Sequence, residues 1–175
     1  MIELQLSRLE IEIATKLAVE SLAVFSGRSG FYTNSLNSHL KGKLGEICFS
    51  RYLEAKGVSH EKLFMEIANL SSEDIKLSSG VRIDVKTWSS SHWKELGRCV
   101  SVYQLAALKN KADAIVWCIA PDIIDENQKF YVRGWSKLDD VEQAEIRWTG
   151  PQHGRKVKNH QLEEAMIRDL KTLLL

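Results

Sequence analysis

The stretch 74–88, DIKLSSGVRIDVKTW, decides how the chain is read. Ile75 and Leu77 alternate with Asp74 and Lys76. Val81, Ile83, Val85 and Thr87 share one face, and Arg82, Asp84, Lys86 and Trp88 the other. A period of two is that of strands with one buried face. Ser78, Ser79 and Gly80 separate the two runs, and a three-residue loop with Gly suits a hairpin with a G1-type bulge.

The register carries a chemical consequence. Pairing Leu77 with Val81 sets Ile75 against Ile83 and Asp74 against Asp84. Directly opposed residues have Cβ atoms about 4.5–5.5 Å apart. Two carboxylates so placed repel unless something binds between them, and a divalent cation with oxygen ligands answers that need. The alternative is an ordinary solvated hairpin face. A one-residue slip would also separate the acids.

Upstream, the pattern predicts a helix over 38–56 stopped by Gly57. Leu40, Leu44, Ile47 and Cys48 form an apolar stripe that Phe49 and Leu53 widen. Gly42 and Gly45 flank Glu46, and each interior Gly costs about 1 kcal/mol relative to Ala. Two within one turn point to a close approach by another backbone or a ligand. Glu46 in this apolar setting needs a partner: a metal or the hairpin lysine, or else Lys41 or Lys43 at the helix edge. Downstream, 100–110 (VSVYQLAALKN) reads as a helix carrying Gln104, either partly exposed or directed to a site. Lys109 and Lys111 complement its dipole. The run 114–120 (AIVWCIA) is continuously apolar, as in a strand buried on both faces, and 130–135 reads as a further strand.

These elements resemble the PD-(D/E)XK nuclease superfamily. The first acid is Asp74 and the second motif is Asp84-Val85-Lys86; Glu73 stands where the family pattern has proline. Glu46 in KGKLGE and Gln104 in VYQLAAL match the acid and glutamine that the superfamily often adds. The resemblance covers about 40–135. It implies an α/β fold, a mixed central β-sheet flanked by helices with a restriction-endonuclease-like core. It also implies a DNA endonuclease that hydrolyses phosphodiester bonds, of restriction, homing or junction-resolving type, on double-stranded or branched DNA. Asp74 and Asp84, with Glu46, would bind Mg²⁺, with Mn²⁺ as a substitute. Lys86 would position water or stabilise the phosphate, and Gln104 would orient the lysine or a water. Asp74-Ile75-Lys76 is a second Asp-x-Lys but lacks a comparable acid before it. The alternative reading is a catalytically silent subunit of the same fold that binds DNA or protein.

The rest of the chain sets bounds. Its 175 residues suffice for a single domain with a sizeable core. A hydrophobic share of 44% and a charged share of 27% are ordinary for a globular protein. A formal charge of +1 argues against a broadly cationic binder. Cys48, Cys99 and Cys118 are odd in number and widely spaced, which suits a reducing, cytoplasmic or other intracellular compartment. No apolar run reaches membrane-spanning length and no signal peptide is seen, so no membrane partner is expected.

Residues 1–27 form the expected N-terminal helix, opened by the capping box Ser7–Glu10. The catalytic core spans about 38–135, and 136–175 is expected as a C-terminal helical extension with a last helix over 161–174. Residues 28–37 read as a loop. Ser90, His92, Trp93 and Lys94 after the hairpin are candidate phosphate and base contacts. Arg155, Lys156 and Lys158 form the best basic patch. A polar loop with a half-buried Trp, and solvated cations, are the plainer readings. The absence of an added DNA-binding domain points to a homodimer cutting both strands.

Overall fold

The computed structural model describes residues 1–25, 35–66, 73–149 and 157–174. It is a mixed α/β structure. Strand β1 (Ile2–Gln5) leads into helix α1 (Arg8–Phe25) and then α2 (Leu36–Ala55). After β2 (His60–Glu61) and a 3-10 turn at Leu63–Met65 comes the hairpin of β3 (Ile75–Leu77) and β4 (Arg82–Ser89). A short helix α3 (Ser90–Trp93), β5 (Cys99–Ser101) and α4 (Val102–Lys111) cross to β6 (Ala114–Ala120) and β7 (Lys129–Lys137). Helix α5 (Leu138–Gln143), β8 (Ile146–Thr149) and β9 (Val157–Gln161) follow.

Six strands form one curled sheet in the order β1-β7-β6-β4-β3-β2, and β5-β9-β8 form a second. In the large sheet β4 and β6 run parallel, and the other neighbours are antiparallel. The apolar run of β6 explains the layering. Ala114, Val116, Cys118 and Ala120 enter a core shared with Leu44, Ile47, Phe49 and Leu53 of α2. Ile115 and Trp117 enter a second core with Leu105 and Leu108 of α4 and Leu138 and Val141 of α5. One strand thus serves two cores, as expected of a strand covered on both faces. Trp117 is wholly buried, and its indole N–H donates to Ser136 Oγ at 2.9 Å.

The N-terminal capping box forms as read. Ser7 N donates to Glu10 Oε2 at 2.7 Å, and Glu10 N to Ser7 Oγ at 3.3 Å. Helix α2 is capped by Ser35 and ends with Gly57 at φ +67. The strand β1 ahead of α1 was not foreseen; it pairs with β7 through Ile2–Val132 and Leu4–Phe130. Helix α4 begins at Val102, because Cys99–Ser101 is held as β5 and Ser101 caps the helix by accepting from Gln104 N.

The expected C-terminal helical extension over 136–175 is corrected most. It contains α5, the strands β8 and β9, and 3-10 turns at Glu164–Met166 and Leu170–Leu173. No α-helix occupies 161–174 among the described residues. Trp135 and Arg168 exchange backbone hydrogen bonds at 3.1 and 2.8 Å, which pins the segment in extended form. Gly134 permits this: a Cβ there would lie 2.3 Å from Arg168 O. Leu162 and Ile167 enter one core and Leu170 the other. Most of the expected loop over 28–37 lies outside the described residues; Ser35 onward belongs to the cap and start of α2.

Candidate active site

The hairpin holds the register read from its alternation: Ile75 pairs with Ile83 and Lys76 with Arg82. Leu77 N donates to Val81 O at 2.9 Å, and Gly80 sits at φ +90, a left-handed conformation open to Gly. Asp74 lies one residue outside the ladder. Its N–H donates to Ile83 O at 3.0 Å, and its Oδ2 accepts from Val85 N at 2.7 Å. The two acids are neighbours, with Asp74 held on the backbone of the Asp-x-Lys segment instead of standing square to Asp84.

Asp84 is almost fully buried, at 1% exposed. Lys86 Nζ lies 2.6 Å from its Oδ2, and Lys111 Nζ 3.3 Å from its Oδ1. The Lys86 contact is an ion pair by distance, yet Oδ2 has no donor aligned for a hydrogen bond. Lys76, the lysine of the other Asp-x-Lys, pairs loosely with Glu61 at 3.8 Å. Glu46 on α2 is 7% exposed, and Lys43 Nζ donates to its Oε2 at 2.8 Å and to Phe64 O at 3.2 Å. Burial and then the Asp74 charge push the Glu46 carboxyl up to about 8, against the opposing pull of Lys43. Burial and the Asp84 charge likewise raise Asp74. Three carboxylates from α2, β4 and the entry to β3 therefore share one electrostatic neighbourhood.

Glycine brings α2 to this position. A Cβ on Gly45 would lie 1.9 Å from Thr87 Oγ1 and 3.3 Å from Cys118 Cβ, so the helix backbone lies flat on β4 and β6. Gly42 differs, with nothing within 4 Å of the same point.

The other expected residues divide. The contact α4 makes with Asp84 comes from its last residue, Lys111. Gln104 stands seven positions earlier, about 10 Å along the helix axis. Trp93 is buried with the Arg98 guanidinium 5.3 Å from its ring, so it is a core residue and not a stacking surface. Ser90 Oγ donates to Asp122 Oδ2 at 2.8 Å and Ser91 Oγ to Oδ1 at 2.5 Å. Those hydroxyls hold the Asp122 carboxyl below its usual range. His92 and Lys94 are exposed. Lys158 is exposed on β9 with its Nζ 6.0 Å from the Trp148 ring. Arg155 and Lys156 lie outside the described residues.

No family model matches the chain, and no curated protein matches it. The geometry must carry the functional reading. Among the described residues no three His, Cys, Asp or Glu side chains are gathered as a ready ligand shell. Mg²⁺ needs less, since it binds through one or two carboxylates and keeps several waters. Sequence reasoning missed Lys111, whose place at a helix end reads as dipole compensation. Of the two lysines it offered Glu46, the structure gives Lys43, three positions earlier on the helix, while Lys41 goes to Ser89.

Proposed function

We propose that this chain is a Mg²⁺-dependent DNA endonuclease with a restriction-endonuclease-like core. The observation that carries the reading is the buried Asp84, flanked by Asp74 and Glu46, with Lys86 2.6 Å away. The fold supports it: the parallel pair β4–β6 is covered by α2 on one face and α4 on the other. The donor set also fits the metal. Asp84 Oδ2 is buried without an aligned donor, and two raised carboxyl groups beside it gain from a cation. Asp74 and Asp84 would hold Mg²⁺, with Glu46 as a further ligand and Mn²⁺ as a substitute. Bound Mg²⁺ supplies an acidified water and charge neutralisation at the phosphate.

The chain's own groups do the rest. Lys86 is fixed by Asp84 and supplies a cation for the developing phosphate charge or a donor for the attacking water. Lys43 and Lys111 balance Glu46 and Asp84. A homodimer would place two such sites on opposite strands.

Nicking of supercoiled plasmid and branched DNA in Mg²⁺, in EDTA, and with Asp84→Ala tests the reading. Cleavage that requires both metal and Asp84 upholds it, and Lys86→Ala should then abolish cleavage in a folded protein. One observation favours a second reading, a non-catalytic binding subunit: Glu46 and Asp84 already have lysine partners. Intact DNA of every form in the presence of folded protein would select it.

A further inference from the structure

Lys41 is placed unlike the other lysines of the site. It is only 9% exposed, and its ammonium donates to Ser89 Oγ at 2.7 Å. No carboxylate among the described residues forms an ion pair with it; Asp122 acts on it only at longer range. Asp122 itself is engaged by the hydroxyls of Ser90 and Ser91. A partly covered ammonium whose close contact is a neutral hydroxyl keeps a charge that no paired carboxylate balances. Burial accordingly lowers the Lys41 pKa. An anion delivered from outside would balance it.

The surroundings say which anion. Lys41 lies on α2, five positions before Glu46, or about 7.5 Å along the helix. Ser89 closes β4, three positions after Lys86, or about 10 Å along the strand. Both partners thus sit one short step from the carboxylates, in the same direction, since Gly45 lies over Thr87 and Lys41 reaches Ser89. Gly42, between Lys41 and Lys43, opens onto free space. We infer that Lys41 and Ser89 form a phosphate subsite that holds a backbone phosphate of the substrate strand next to the one being cut. Lys41 donates to a phosphate oxygen, and the Ser89 hydroxyl adds a second hydrogen bond. This rests on the nuclease reading and adds a residue that neither the hairpin motif nor its flanking acids supply.

The test is binding, not cleavage. A 20-base-pair duplex DNA, the single-stranded 20-mer and its RNA counterpart are titrated in EDTA against wild type, Lys41→Met and Lys41→Arg over a range of salt. Lys41→Met is expected to weaken duplex binding about tenfold and to flatten the slope of log K against log salt by about 0.9, the loss of one phosphate contact. Lys41→Arg should restore the slope. The melting temperature of Lys41→Met should rise, because a charge without a paired carboxylate is removed. An unchanged slope, or a fall in melting temperature with unchanged affinity, overturns the subsite and makes Lys41 a packing residue. Should Lys41→Met fail to fold, Ser89→Ala carries the affinity comparison, and no loss of affinity overturns the proposal. Thermal shifts with inorganic phosphate identify the source. A shift in wild type that Lys41→Met loses, with no effect on any strand, overturns the strand reading in favour of a free phosphate ligand. Asp84-dependent nicking is scored separately, so the nuclease reading and the subsite fail independently.

Discussion

Glu46→Gln is the most informative perturbation because its sign and size follow from one side chain. The native carboxyl is pushed from 4.5 up to about 8, first by burial and then by Asp74. The folded protein therefore holds a proton that the unfolded chain releases. Stability from this group is complete below pH about 4.5 and is lost as pH rises through about 8. At about 1.36 kcal/mol per pH interval, the span from 4.5 to about 8 sets an upper bound of about 5 kcal/mol. The opposing pull of Lys43 at 2.8 Å is already contained in that value, and relaxation of the site brings the expected effect to about 2–3 kcal/mol. Gln keeps the shape and hydrogen-bonding capacity without the charge. Urea unfolding in EDTA at pH 5, 7 and 9 should show the two proteins nearly equal at pH 5 and Glu46→Gln more stable at pH 9. Parallel pH profiles would refute the argument, since Glu46 would then be ionised in both states across the range.

Three further outcomes follow from the same geometry. Asp74→Asn keeps an acceptor for Val85 N and removes the charge beside Asp84, so the melting temperature in EDTA should rise; a fall would show that the pair is not strained. Lys111→Met takes one of two cations from buried Asp84 and should lower metal-free stability by about 1–3 kcal/mol while tightening Mg²⁺ binding by calorimetry; equal Mg²⁺ affinity would remove Lys111 from the site. Gly45→Ala drives a Cβ into Thr87 and should destabilise by about 1–3 kcal/mol, whereas Gly42→Ala meets open space and should stabilise by up to about 1 kcal/mol; denaturant midpoints of equal sign would contradict the packing of α2.

What was legible in the sequence is what packing alone dictates. The hairpin showed through its alternation and the two-core strand β6 through its unbroken apolar run. Helix α1 announced itself by its capping box. Where polar groups are satisfied at a distance, pattern fails. Val157–Gln161 is the strand β9, and Gln161 does not open a helix: buried Gln161 donates to Glu95 O at 2.8 Å and buried Asn159 to Thr149 Oγ1 at 2.5 Å. Those partners are unknowable before the chain is folded. For Trp93 the stacking and the half-buried readings stood side by side in the sequence, because nothing local announces the Arg98 guanidinium that covers it. In the candidate site the pairing of Glu46 with Lys43 could be read from their spacing, but that of Asp84 with Lys111 could not. Lys111 meets Asp84 only because β6 runs parallel to β4 and sets the end of α4 beside it.

The pairing of β1 with β7 bears on how the chain is made. Ile2 lies against Val132, on the order of a hundred residues later. During synthesis at roughly 5–20 residues per second, β1 must wait on the order of ten seconds for its partner to emerge. Over that interval α1 and α2 can pack, but the strand ahead of them keeps an unpaired edge. The chain should therefore be most prone to associate with other chains late in translation, and a slowly translated message should give less soluble protein than a fast one.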